Sequence, residues 1–366
     1  MQLSAIGLPV LELDTPALLL DLDKFEHNVA KMARHLRERN VAWRPHAKAF
    51  KSPAIAHVLR RAGAIGVTVA KVSEAEVMAA AGIDDILIAH LVVGLSKAAR
   101  LAALQRQADV KVTVDHPDHV APLGVAARDA GVTIGVLVDV DLGMKRNGVD
   151  SPASAAALAG RVAETSGLRL DGVMGYEGHT LAIVDADAKR AAIGQALDRL
   201  AMAREAVEAA GHACRIVSAG GTGSYQYTAD IPGVTELQAG GGIFACRYYT
   251  QVCGVQGHEP ALTLLATVVG RPAADRAILD IGLKSVSEHR TPPILRDHHP
   301  ACRVLGLSAE HATVGIEAES SLKIGDKLHV IPGYSDFTFV LHDRVLAHRS
   351  GRVESVWDIL GRGMLQ

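Results

Sequence analysis

Two lysines follow an apolar segment near the N-terminus, in the stretch Arg-Pro-His-Ala-Lys-Ala-Phe-Lys at residues 44–51. Residues 41–48 are expected to form a strand on which Arg44, His46 and Lys48 alternate and share one face. A lysine on the inner face of a strand must be paired or neutral, since an isolated buried ammonium group is very costly. The stretch therefore indicates either a lysine that does chemistry or a surface strand end with solvated basic residues.

Two glycine-rich stretches could offer bare backbone N–H groups to an anion. Residues 218–225 read Ser-Ala-Gly-Gly-Thr-Gly-Ser-Tyr, and residues 238–244 read Gln-Ala-Gly-Gly-Gly-Ile-Phe. Each follows an apolar segment with the pattern of a strand, and loops of this kind bind phosphate groups well. The alternative is a tight turn that needs glycine for a positive φ. Because two such stretches follow two successive strand patterns, a phosphate site is favoured over two unrelated tight turns.

The elements that must position these residues alternate between strand and helix from about residue 24 to residue 245. Strand patterns cover residues 40–47, 64–70, 84–90, 110–115, 134–140, 172–178, 214–221 and 234–241. Amphipathic, alanine-rich helical patterns cover residues 24–39, 52–62, 73–81, 151–166 and 186–210. Eight strands with helices between them favour an α/β fold with a closed (β/α)₈ barrel of the TIM type over an open sheet. Polar residues at the strand ends would then form the active site.

The pattern changes after residue 250, where short strands are separated by short turns. These strand patterns cover residues 261–271, 276–282, 313–318, 327–333, 344–353 and 353–359. They predict a C-terminal antiparallel β-domain, to which residues 8–20 could add a strand. The predicted organisation is an N-terminal strand segment packing with the β-domain (1–23), a barrel that binds the cofactor (24–248) and the β-domain itself (249–366).

Composition and charge argue against several classes of protein. The chain has 366 residues, 49% hydrophobic and 21% charged, which is typical of a globular protein with a large core. Its formal net charge is −2 and it has no long basic cluster, so nucleic acid is not an expected partner. No apolar run is long enough for a bilayer, so no membrane association is expected. The four cysteines show no Cys-x-x-Cys spacing, which is typical of reduced thiols in a cytoplasmic protein.

A lysine on an early strand and a phosphate site on late strands indicate a phosphorylated cofactor with an electrophilic carbon. Pyridoxal 5′-phosphate meets both requirements. Its aldehyde reacts with a lysine, while its phosphate can be held at the other end of the molecule.

Seven motifs resemble the D-threonine aldolase and D-serine dehydratase family. They are RPHAKAFK, VAKVSEAEVMAAAGIDDILIAH, GMKRNG, GGTGS, ELQAG, LDIGLKS and SAEHATV. This family belongs to the alanine-racemase-like class of pyridoxal phosphate enzymes, known as fold type III. The resemblance extends from DTPALLLDL at residues 14–22 to LHDRVLAHRSGRVESVWDI at residues 341–359, which is nearly the whole chain. It implies a barrel that binds pyridoxal phosphate, followed by a β-domain.

The resemblance implies roles for the basic residues and for the glycine-rich loops. The lysine that forms a Schiff base with the cofactor corresponds to Lys48, whereas Lys51 lies beyond the strand end and caps it or is solvated. Arg146 corresponds to an arginine at the phenolic oxygen of the cofactor, although it could instead pair with Asp139 or Asp141. The residues that correspond to phosphate donors are Thr222, Gly223, Gly241 and Gly242.

Three further residues near the cofactor are implied by the resemblance. Tyr176 corresponds to a tyrosine beside the cofactor, and His179 is either a substrate contact or a loop histidine. Gln238 occupies the place that faces the pyridine nitrogen. A neutral amide does not keep that nitrogen protonated as a carboxylate does, so the ring is expected to be a weaker electron sink.

The chain departs from the family near its C-terminus. Family members hold a divalent cation through a histidine and a cysteine or aspartate, two residues apart. Here Tyr334 stands where the histidine is expected, and Asp336 keeps the carboxylate. Tyrosine is a poor ligand at neutral pH, so the sequence leaves open whether a cation such as Mg²⁺ or Mn²⁺ binds at Asp336. Tyr334 and His311, the latter in SAEHATV, are candidate acids or bases.

The resemblance implies an enzyme that acts on a D-amino acid. Retro-aldol cleavage of a D-β-hydroxy-amino acid, as in D-threonine aldolase, gives glycine or a homologue and an aldehyde. Dehydration, as in a D-serine or D-hydroxyaspartate dehydratase, gives a keto acid and ammonia and makes a greater demand on a metal. Aldol cleavage is therefore preferred, while an amino-acid racemase and a non-catalytic cofactor carrier stay open. Fold type III enzymes share active sites between subunits, so a homodimer is expected.

Overall fold

The computed structural model describes residues 5–297, 301–317 and 320–366 of the chain. Their contacts divide the chain into two compact units. The first, called the β-unit, comprises the described parts of Met1–Lys31, Ala49–Ala54 and Gly241–Arg362. The second, called the barrel unit, comprises Met32–Lys48, Ile55–Gly240 and Gly363–Gln366. Among the described residues, no helix is long and apolar enough to cross a membrane.

The first regular elements are an apolar strand and an amphipathic helix. Strand β1 (Ala17–Asp21) has three consecutive leucines, which are buried because the strand lies inside a sheet. Helix α1 (Leu22–Arg37) follows it directly. Its buried apolar residues recur every three or four positions, as expected for a helix with one face in a core: Phe25, Val29, Met32 and Leu36.

The barrel unit is built on a ring of parallel strands. They are β2 (Ala42–Trp43), β3 (Val67–Val69), β4 (Asp85–Leu91), β5 (Asp109–Val114), β6 (Ile134–Val140), β7 (Leu168–Gly175), β8 (Ile216–Ala219) and β9 (Glu236–Leu237). Within the described ranges these eight strands form one sheet in the order β2-β9-β8-β7-β6-β5-β4-β3. A parallel bridge between His46 and Thr68 joins its two ends, and Thr68 N donates to Pro45 O at 3.0 Å. The predicted TIM-type barrel is therefore confirmed.

Helices connect the barrel strands, and local signals set their ends. They are α2 (Pro53–Arg61), α3 (Val72–Ala80), α4 (Leu95–Leu104), α5 (Pro117–Ala130), α6 (Pro152–Glu164), α7 (Ala186–Ala209) and α8 (Tyr225–Thr228). Helix α6 begins at Pro152, and Ser151 Oγ accepts a hydrogen bond from Ser154 N at 3.2 Å. The serine thus satisfies one of the N–H groups that a helix leaves unbonded at its start. Helix α5 ends at Gly131, which adopts the left-handed conformation with φ 67°.

A layer of paired charged residues lies at the amino-terminal end of the barrel, and its members Arg44, Lys111, Asp171 and Glu236 are buried. This ionic floor consists of Arg44, Asp85, Asp109, Lys111, Arg169, Asp171 and Glu236. Arg44 is 2% exposed, and its guanidinium donates to Glu236 at 3.0 Å and to Asp85 at 2.7 Å. Lys111 Nζ donates to Asp85 and to Asp109, each at 2.8 Å. Asp85, Asp109 and Glu236 are the first residues of β4, β5 and β9, which places the layer at the strand starts.

Within the described residues, the rest of the β-unit contains eight strands and one short α-helix, besides a 3-10 turn at Gly241–Ile243 and a π-helical turn at Tyr248–Val252. The strands and the α-helix are β10 (Leu262–Ala273), β11 (Arg276–Leu279), β12 (Ile294–Leu295), β13 (Arg303–Leu307), β14 (Ala312–Gly315), β15 (Lys327–Ile331), α9 (Ser335–Phe339), β16 (Arg344–Arg349) and β17 (Arg352–Asp358). Strand β1 pairs antiparallel with β10 and parallel with β16. The other pairs recorded in this sheet are antiparallel. The C-terminal part of the chain therefore contributes a mixed sheet to which the N-terminal strand belongs.

Most predicted strands differ in length from those of the structure, and three of the differences are informative. The strand expected at residues 41–48 ends at Trp43 and is followed by a 3-10 turn at Ala47–Ala49. Proline has no N–H group for a strand ladder, and Pro45 lies at this end. The strand expected at 344–353 is a hairpin that turns at Ser350 and Gly351. The strand expected at 313–318 ends at Gly315, and its last residue, Ala318, lies outside the described residues.

Candidate active site

The carboxyl ends of the barrel strands carry most of the predicted cofactor residues. Lys48 lies in the 3-10 turn after β2, and its side chain is exposed. Arg146 follows β6, and Tyr176 is the first residue after β7. Thr222 and Gly223 follow β8, and Gln238 follows β9. Parallel strands place all their carboxyl ends at one end of a barrel, so these residues surround its mouth.

Tyr176 is the residue around which the two cations of the mouth meet. Nζ of Lys48 lies 5.9 Å from the centre of the Tyr176 ring. The Cζ atom of Arg146 lies at the same distance, 5.9 Å, from that centre. A Cβ added at Gly221 would lie 2.8 Å from the ring, so only glycine lets this loop approach Tyr176. The structure thus brings together Lys48, Arg146, Tyr176 and the first glycine-rich loop.

The loop that carries Arg146 is tied to the strand it follows. Val140 and Val149 form a parallel bridge, and Val149 N donates to the backbone carbonyl of Asp139 at 2.8 Å. Within the loop, Nε of Arg146 donates to Oδ1 of Asn147 at 2.7 Å. Nδ2 of Asn147 in turn donates to Oδ2 of Asp139. Asn147 therefore stands between Arg146 and one of the two carboxylates that the sequence offered as its direct partner.

Asp139, near the end of β6, is a buried carboxyl group with a raised pKa. Its side chain is 4% exposed. Burial raises the pKa of Asp139 to about 7, with Asp115 and Asp141 also raising it and Arg146 lowering it. A buried carboxyl that titrates near neutral pH is characteristic of functional sites. The sequence did not mark this residue as functional.

The first glycine-rich loop is held from below by a buried glutamate. Glu177 is fully buried, and its two carboxylate oxygens accept from Thr228 Oγ1 at 2.6 Å and from Gly220 N at 3.2 Å. Thr222 and Gly223 are buried in the turn that begins there. Ser224 closes the turn, since its Oγ accepts from the backbone N of Gly221 at 3.1 Å. The sequence assigned no role to Glu177, and the fold shows that it anchors this loop.

Gln238 has a defined partner in the barrel. It is 7% exposed, and its Nε2 donates to Oγ of Ser218 at 2.9 Å. The same nitrogen lies 3.9 Å from the sulfur of Met174. The side chain at this position therefore remains a neutral amide whose N–H group is held by a hydroxyl.

Lys51 lies differently from expectation, whereas His179 lies in a loop, which is one of the two alternatives that the sequence left open. Lys51 was expected to cap the strand or to be solvated, but it is only 9% exposed and belongs to the β-unit. Its φ of 47° and its backbone carbonyl, which accepts from Gly361 N at 2.8 Å, make it a structural residue of that unit. His179 is exposed in a 3-10 turn, and a Cβ added at Gly143 would lie 3.3 Å from its Nε2.

Gly241 and Gly242 begin the part of the β-unit that follows β9. Together with Ile243 they form a 3-10 turn. A Cβ added at Gly241 would lie 2.5 Å from the Tyr249 ring, so a side chain is excluded there. The carbonyl of Gly242 is 3.0 Å from Nδ1 of His258.

Asp336 lies among tyrosines in the β-unit. It is 4% exposed, and its Oδ2 accepts from the hydroxyl of Tyr334 at 2.9 Å. The hydroxyl of Tyr249 lies 3.4 Å from its Oδ1. Burial, with Asp336 nearby, raises the pKa of Tyr249 well above its ordinary value, so this phenol stays a hydrogen-bond donor. The rings of Tyr248 and Phe337 pack edge-on against Tyr334.

The donor set around Asp336 does not resemble a metal site built from protein ligands. Across the described residues there is no group of three or more His, Cys, Asp or Glu side chains that could hold a metal ion. His311, the second candidate base, is exposed immediately before β14, and its carbonyl accepts from Ser308 N at 2.8 Å. Metal binding at Asp336 therefore stays a prediction.

Comparison with known families and relatives shows what the barrel is. A family model described as "Alanine racemase, N-terminal domain" matches residues 20–247, and one described as "Putative serine dehydratase domain" matches residues 261–348. The chain is 38% identical to a D-threonine aldolase of an Arthrobacter species over 98% of this chain and 95% of that protein. The chain belongs to the D-threonine aldolase and D-serine dehydratase family. This membership confirms the resemblance read from the motifs.

Two more relatives support the family membership of the chain. It is 32% identical to a 3-hydroxy-D-aspartate aldolase of Paracoccus denitrificans strain Pd 1222, over 98% of this chain and 94% of the relative. The crystal structure of a D-threonine aldolase from Filomicrobium marinum superposes with a TM-score of 0.94 at 36% identity and covers 99% of both chains. The predicted fold type III class and the prediction of a lyase are confirmed.

Pyridoxal 5′-phosphate is the cofactor of this family, as predicted, and the barrel mouth fits it. Lys48 and Arg146 provide an amine and a cation on one aromatic ring. The loop after β8 packs so closely that a Cβ at Gly220 would lie 1.8 Å from the Leu237 side chain. Such a loop presents backbone instead of side chains, which is what a phosphate group requires.

Proposed function

We propose that the protein is a pyridoxal phosphate-dependent lyase that cleaves D-β-hydroxy-amino acids by a retro-aldol reaction, giving glycine or a homologue and an aldehyde. The observation that carries this proposal is the arrangement of Lys48, Arg146 and Tyr176 at the mouth of the barrel. The choice of substrate class is supported by two relatives, named as a D-threonine aldolase and a 3-hydroxy-D-aspartate aldolase, to which the chain is similar over nearly its whole length.

The barrel-unit residues are assigned to holding the cofactor. Lys48 is the residue that binds it covalently, and Arg146 contacts its phenolic oxygen. Tyr176 packs beside it, and Gln238 faces its ring nitrogen as a neutral amide held by Ser218. The phosphate is assigned to the loops that contain Thr222, Gly223, Gly241 and Gly242. When bound, pyridoxal phosphate supplies a conjugated system that accepts the electrons of a bond broken at the α-carbon.

Acid and base roles are assigned to residues of the β-unit. Retro-aldol cleavage requires a base for the proton of the β-hydroxyl group. Tyr334 is the proposed proton-transfer residue, because Asp336 accepts a hydrogen bond from its hydroxyl and so fixes its direction. His311 is the second candidate base, and its exposed ring leaves it accessible to protons from solvent.

A divalent cation bound at Asp336 is kept as a separate proposal. A carboxylate with waters suits Mg²⁺ or Mn²⁺ better than zinc, which prefers nitrogen and sulfur ligands. Because Asp336 accepts hydrogen bonds from Tyr334 and lies near the hydroxyl of Tyr249, such an ion would have to compete with two phenols.

Dehydration is the second candidate function. The match of residues 261–348 to a model described as a serine dehydratase domain favours it. It would release ammonia and a keto acid from the same substrates, with Lys48 removing the α-proton. We rank it second because hydroxide is a poor leaving group and usually needs a strong Lewis acid.

The proposal is tested by incubating purified protein and pyridoxal phosphate with D-threonine, D-serine or D-alanine. Aldehyde and glycine from D-threonine are expected. Ammonia and a keto acid would establish the dehydratase instead, and inversion of D-alanine would establish a racemase. Cofactor binding without any product would indicate a carrier, and the lyase proposal would then be abandoned.

Two further assignments belong to this proposal. A homodimer is proposed from the shared active sites of fold type III enzymes, and sedimentation analysis that finds a monomer would refute it. A cytoplasmic location is proposed because all four cysteines are free thiols.

A further inference from the structure

Asp139 is a buried carboxyl that the proposed reaction does not itself use. It lies next to the last residue of β6, where its backbone carbonyl accepts from Val149 N at 2.8 Å. Its carboxylate accepts from the side-chain amide of Asn147, a neutral donor. Burying a carboxylate is costly, and charged donors compensate that cost better than neutral ones do. The position is therefore one where a less costly residue would serve if packing were the only requirement.

Asn147 transmits the position of Asp139 to Arg146. A side-chain amide donates from its nitrogen and accepts at its oxygen. Because Nδ2 of Asn147 donates to Asp139, the oxygen faces the other way and accepts from Nε of Arg146 at 2.7 Å. In the reverse orientation the NH₂ group would face a guanidinium, which has only donors. Asp139 thus fixes the amide in the orientation that holds Arg146.

The charged groups around Asp139 make its own charge variable. The nearby Asp115 and Asp141 raise the pKa of Asp139, and the Arg146 cation lowers it. His119 lies 3.3 Å from Asp115 and adds a second titratable group on that side. With its pKa raised to about 7, Asp139 titrates near neutral pH.

We propose that Asp139 is a positioning residue that acts on the cofactor through Asn147 and Arg146. It holds the guanidinium for the phenolic oxygen of pyridoxal phosphate, and its charge offsets part of the positive field that Arg146 applies there. This inference rests on the proposed function, which assigns Arg146 to that oxygen.

The inference predicts two shifts of opposite sign. The absorption of bound pyridoxal phosphate changes when it loses a proton, and a nearby positive charge favours the deprotonated form. Asp139→Asn keeps the shape but removes the offsetting charge, so the pH midpoint of the absorption change is expected to fall by about half a unit. Arg146→Ala removes the cation, so the midpoint is expected to rise. A residue that only packs the loop would give no such pair of signs.

The experiment titrates the absorption of each reconstituted variant between acid and alkaline pH. Asp129→Asn is the matched control, because it removes the same charge from the exposed side of α5. Its midpoint is expected to equal that of the wild type. An unchanged or raised midpoint in Asp139→Asn, with the control unchanged, would overturn the inference.

A double-mutant cycle with Asn147→Ala tests the route. If Asp139 acts through Asn147, the effect of Asp139→Asn on the midpoint is expected to shrink when Asn147 is already alanine. Fully additive effects would show that the relay does not operate. Asn147→Ala alone, which keeps the buried carboxyl, is expected to weaken pyridoxal phosphate binding several-fold, and unchanged affinity would contradict the inference even if Asp139→Asn failed to fold.

These readouts separate the inference from the proposed function. A shifted midpoint in a protein that cleaves no D-amino acid would retain the role of Asp139 and refute the lyase. Turnover of D-threonine with an unmoved midpoint would do the reverse. Failure of the wild-type protein to bind pyridoxal phosphate would refute both.

Discussion

The two ends of the barrel use cations in opposite ways. On the ionic floor, Arg44 and Lys111 donate to carboxylates at 2.7–3.0 Å, so each positive charge is matched inside the protein. At the mouth, Lys48 and Arg146 lie over the ring of Tyr176, and the Nε of Arg146 meets a neutral amide. Charge at the floor therefore serves the fold, whereas charge at the mouth is arranged for an anionic ligand.

The carboxyl groups at the two ends of the barrel also differ, because the pKa of Asp85 at the floor is lowered and that of Asp139 at the mouth is raised. Burial alone would raise the pKa of Asp85 on the floor, but hydrogen bonds from Arg44 and Lys111 hold it below its ordinary value. Burial raises the pKa of Asp139 at the mouth to about 7. The floor thus stabilises ionised carboxylates, and the mouth tolerates one at a cost. Functional sites commonly carry such a cost.

The largest expected effect comes from removing the amine of the mouth. Lys48→Ala should abolish turnover and the absorption of covalently held cofactor, because no other group replaces the amine. Its free energy of unfolding should stay within about 0.5 kcal/mol of the wild type, since the side chain is exposed. Lys51→Ala is the control: both signals should persist, even though its buried position lowers stability. If Lys48→Ala retained the absorption of covalently held cofactor, Lys48 would not be the amine that binds it, and the contrast between the two ends of the barrel would be contradicted.

The floor should respond in the opposite way. Arg44→Met leaves Glu236 and Asp85 without their shared cation, and the loss of one partner in a buried ion pair typically costs about 3–5 kcal/mol. Urea unfolding would measure it, with Arg146→Met as the matched control at about 0.5 kcal/mol or less. Equal losses in the two variants would show that the ends are not specialised.

The pH dependence of stability should separate the two carboxyl groups. Asp139 has a folded pKa near 7 and an unfolded value of about 4. The folded state therefore holds an extra proton between these values, and stability falls as pH rises through this window. Asp139→Asn removes this slope, so its free energy of unfolding should rise relative to that of the wild type by up to about 4 kcal/mol between about pH 4 and pH 8.

Asp85→Asn provides the contrast for that measurement. The folded pKa of Asp85 is depressed, so its stabilising contribution is present above its unfolded pKa and disappears as pH falls through the folded value. The variant should lose stability at neutral pH and converge with the wild type in acid. Curves of the same slope for both variants would contradict the assigned pKa directions.

A smaller effect is expected at Tyr334. Tyr334→Phe removes a hydroxyl that donates to Asp336 and should lower kcat/KM for D-threonine by at least about tenfold, since a positioned acid or base usually contributes ~10² or more. Tyr227→Phe is the control, because that ring lies over Arg190 and belongs to the barrel unit. EDTA should reduce activity less than it does in a relative with histidine at this position. Complete, metal-reversible loss with EDTA and full activity in Tyr334→Phe would restore a metal-dependent mechanism.

Runs of apolar residues in the sequence were sufficient to predict the number and the approximate positions of the barrel strands. All eight barrel strands overlap the segments that hydrophobic runs predicted, and five of them, β2, β3, β6, β8 and β9, lie wholly within those segments. Lys48 and the glycine-rich loops were conspicuous in the sequence by residue type, whereas the roles proposed for them and for Arg146 came from the resemblance to the family. Pro45 was a signal that β2 ends early. The alternation of Arg44 and His46 nevertheless favoured a longer strand in the prediction.

Other features depend on contacts between distant segments. Glu177 accepts hydrogen bonds from Gly220 and Thr228, which lie 43 and 51 residues further along the chain. The hydrogen bonds that link Asp139, Asn147 and Arg146 form because the loop after β6 folds back onto that strand. The periodicity of the sequence does not predict such a return. The phenols around Asp336 come from two segments, at Tyr249 and Tyr334. Sequence patterns report local periodicity and composition, whereas these sites depend on tertiary proximity.

The most direct test of the account is to identify the lysine that carries the cofactor. The protein is reconstituted with pyridoxal phosphate, reduced with borohydride to fix the cofactor to its lysine, digested and mapped by mass spectrometry. The account predicts the phosphopyridoxyl group on Lys48 in the wild type and in Lys51→Ala. A phosphopyridoxyl group on Lys51, on another lysine, or on no lysine of a protein that still cleaves D-threonine would contradict it.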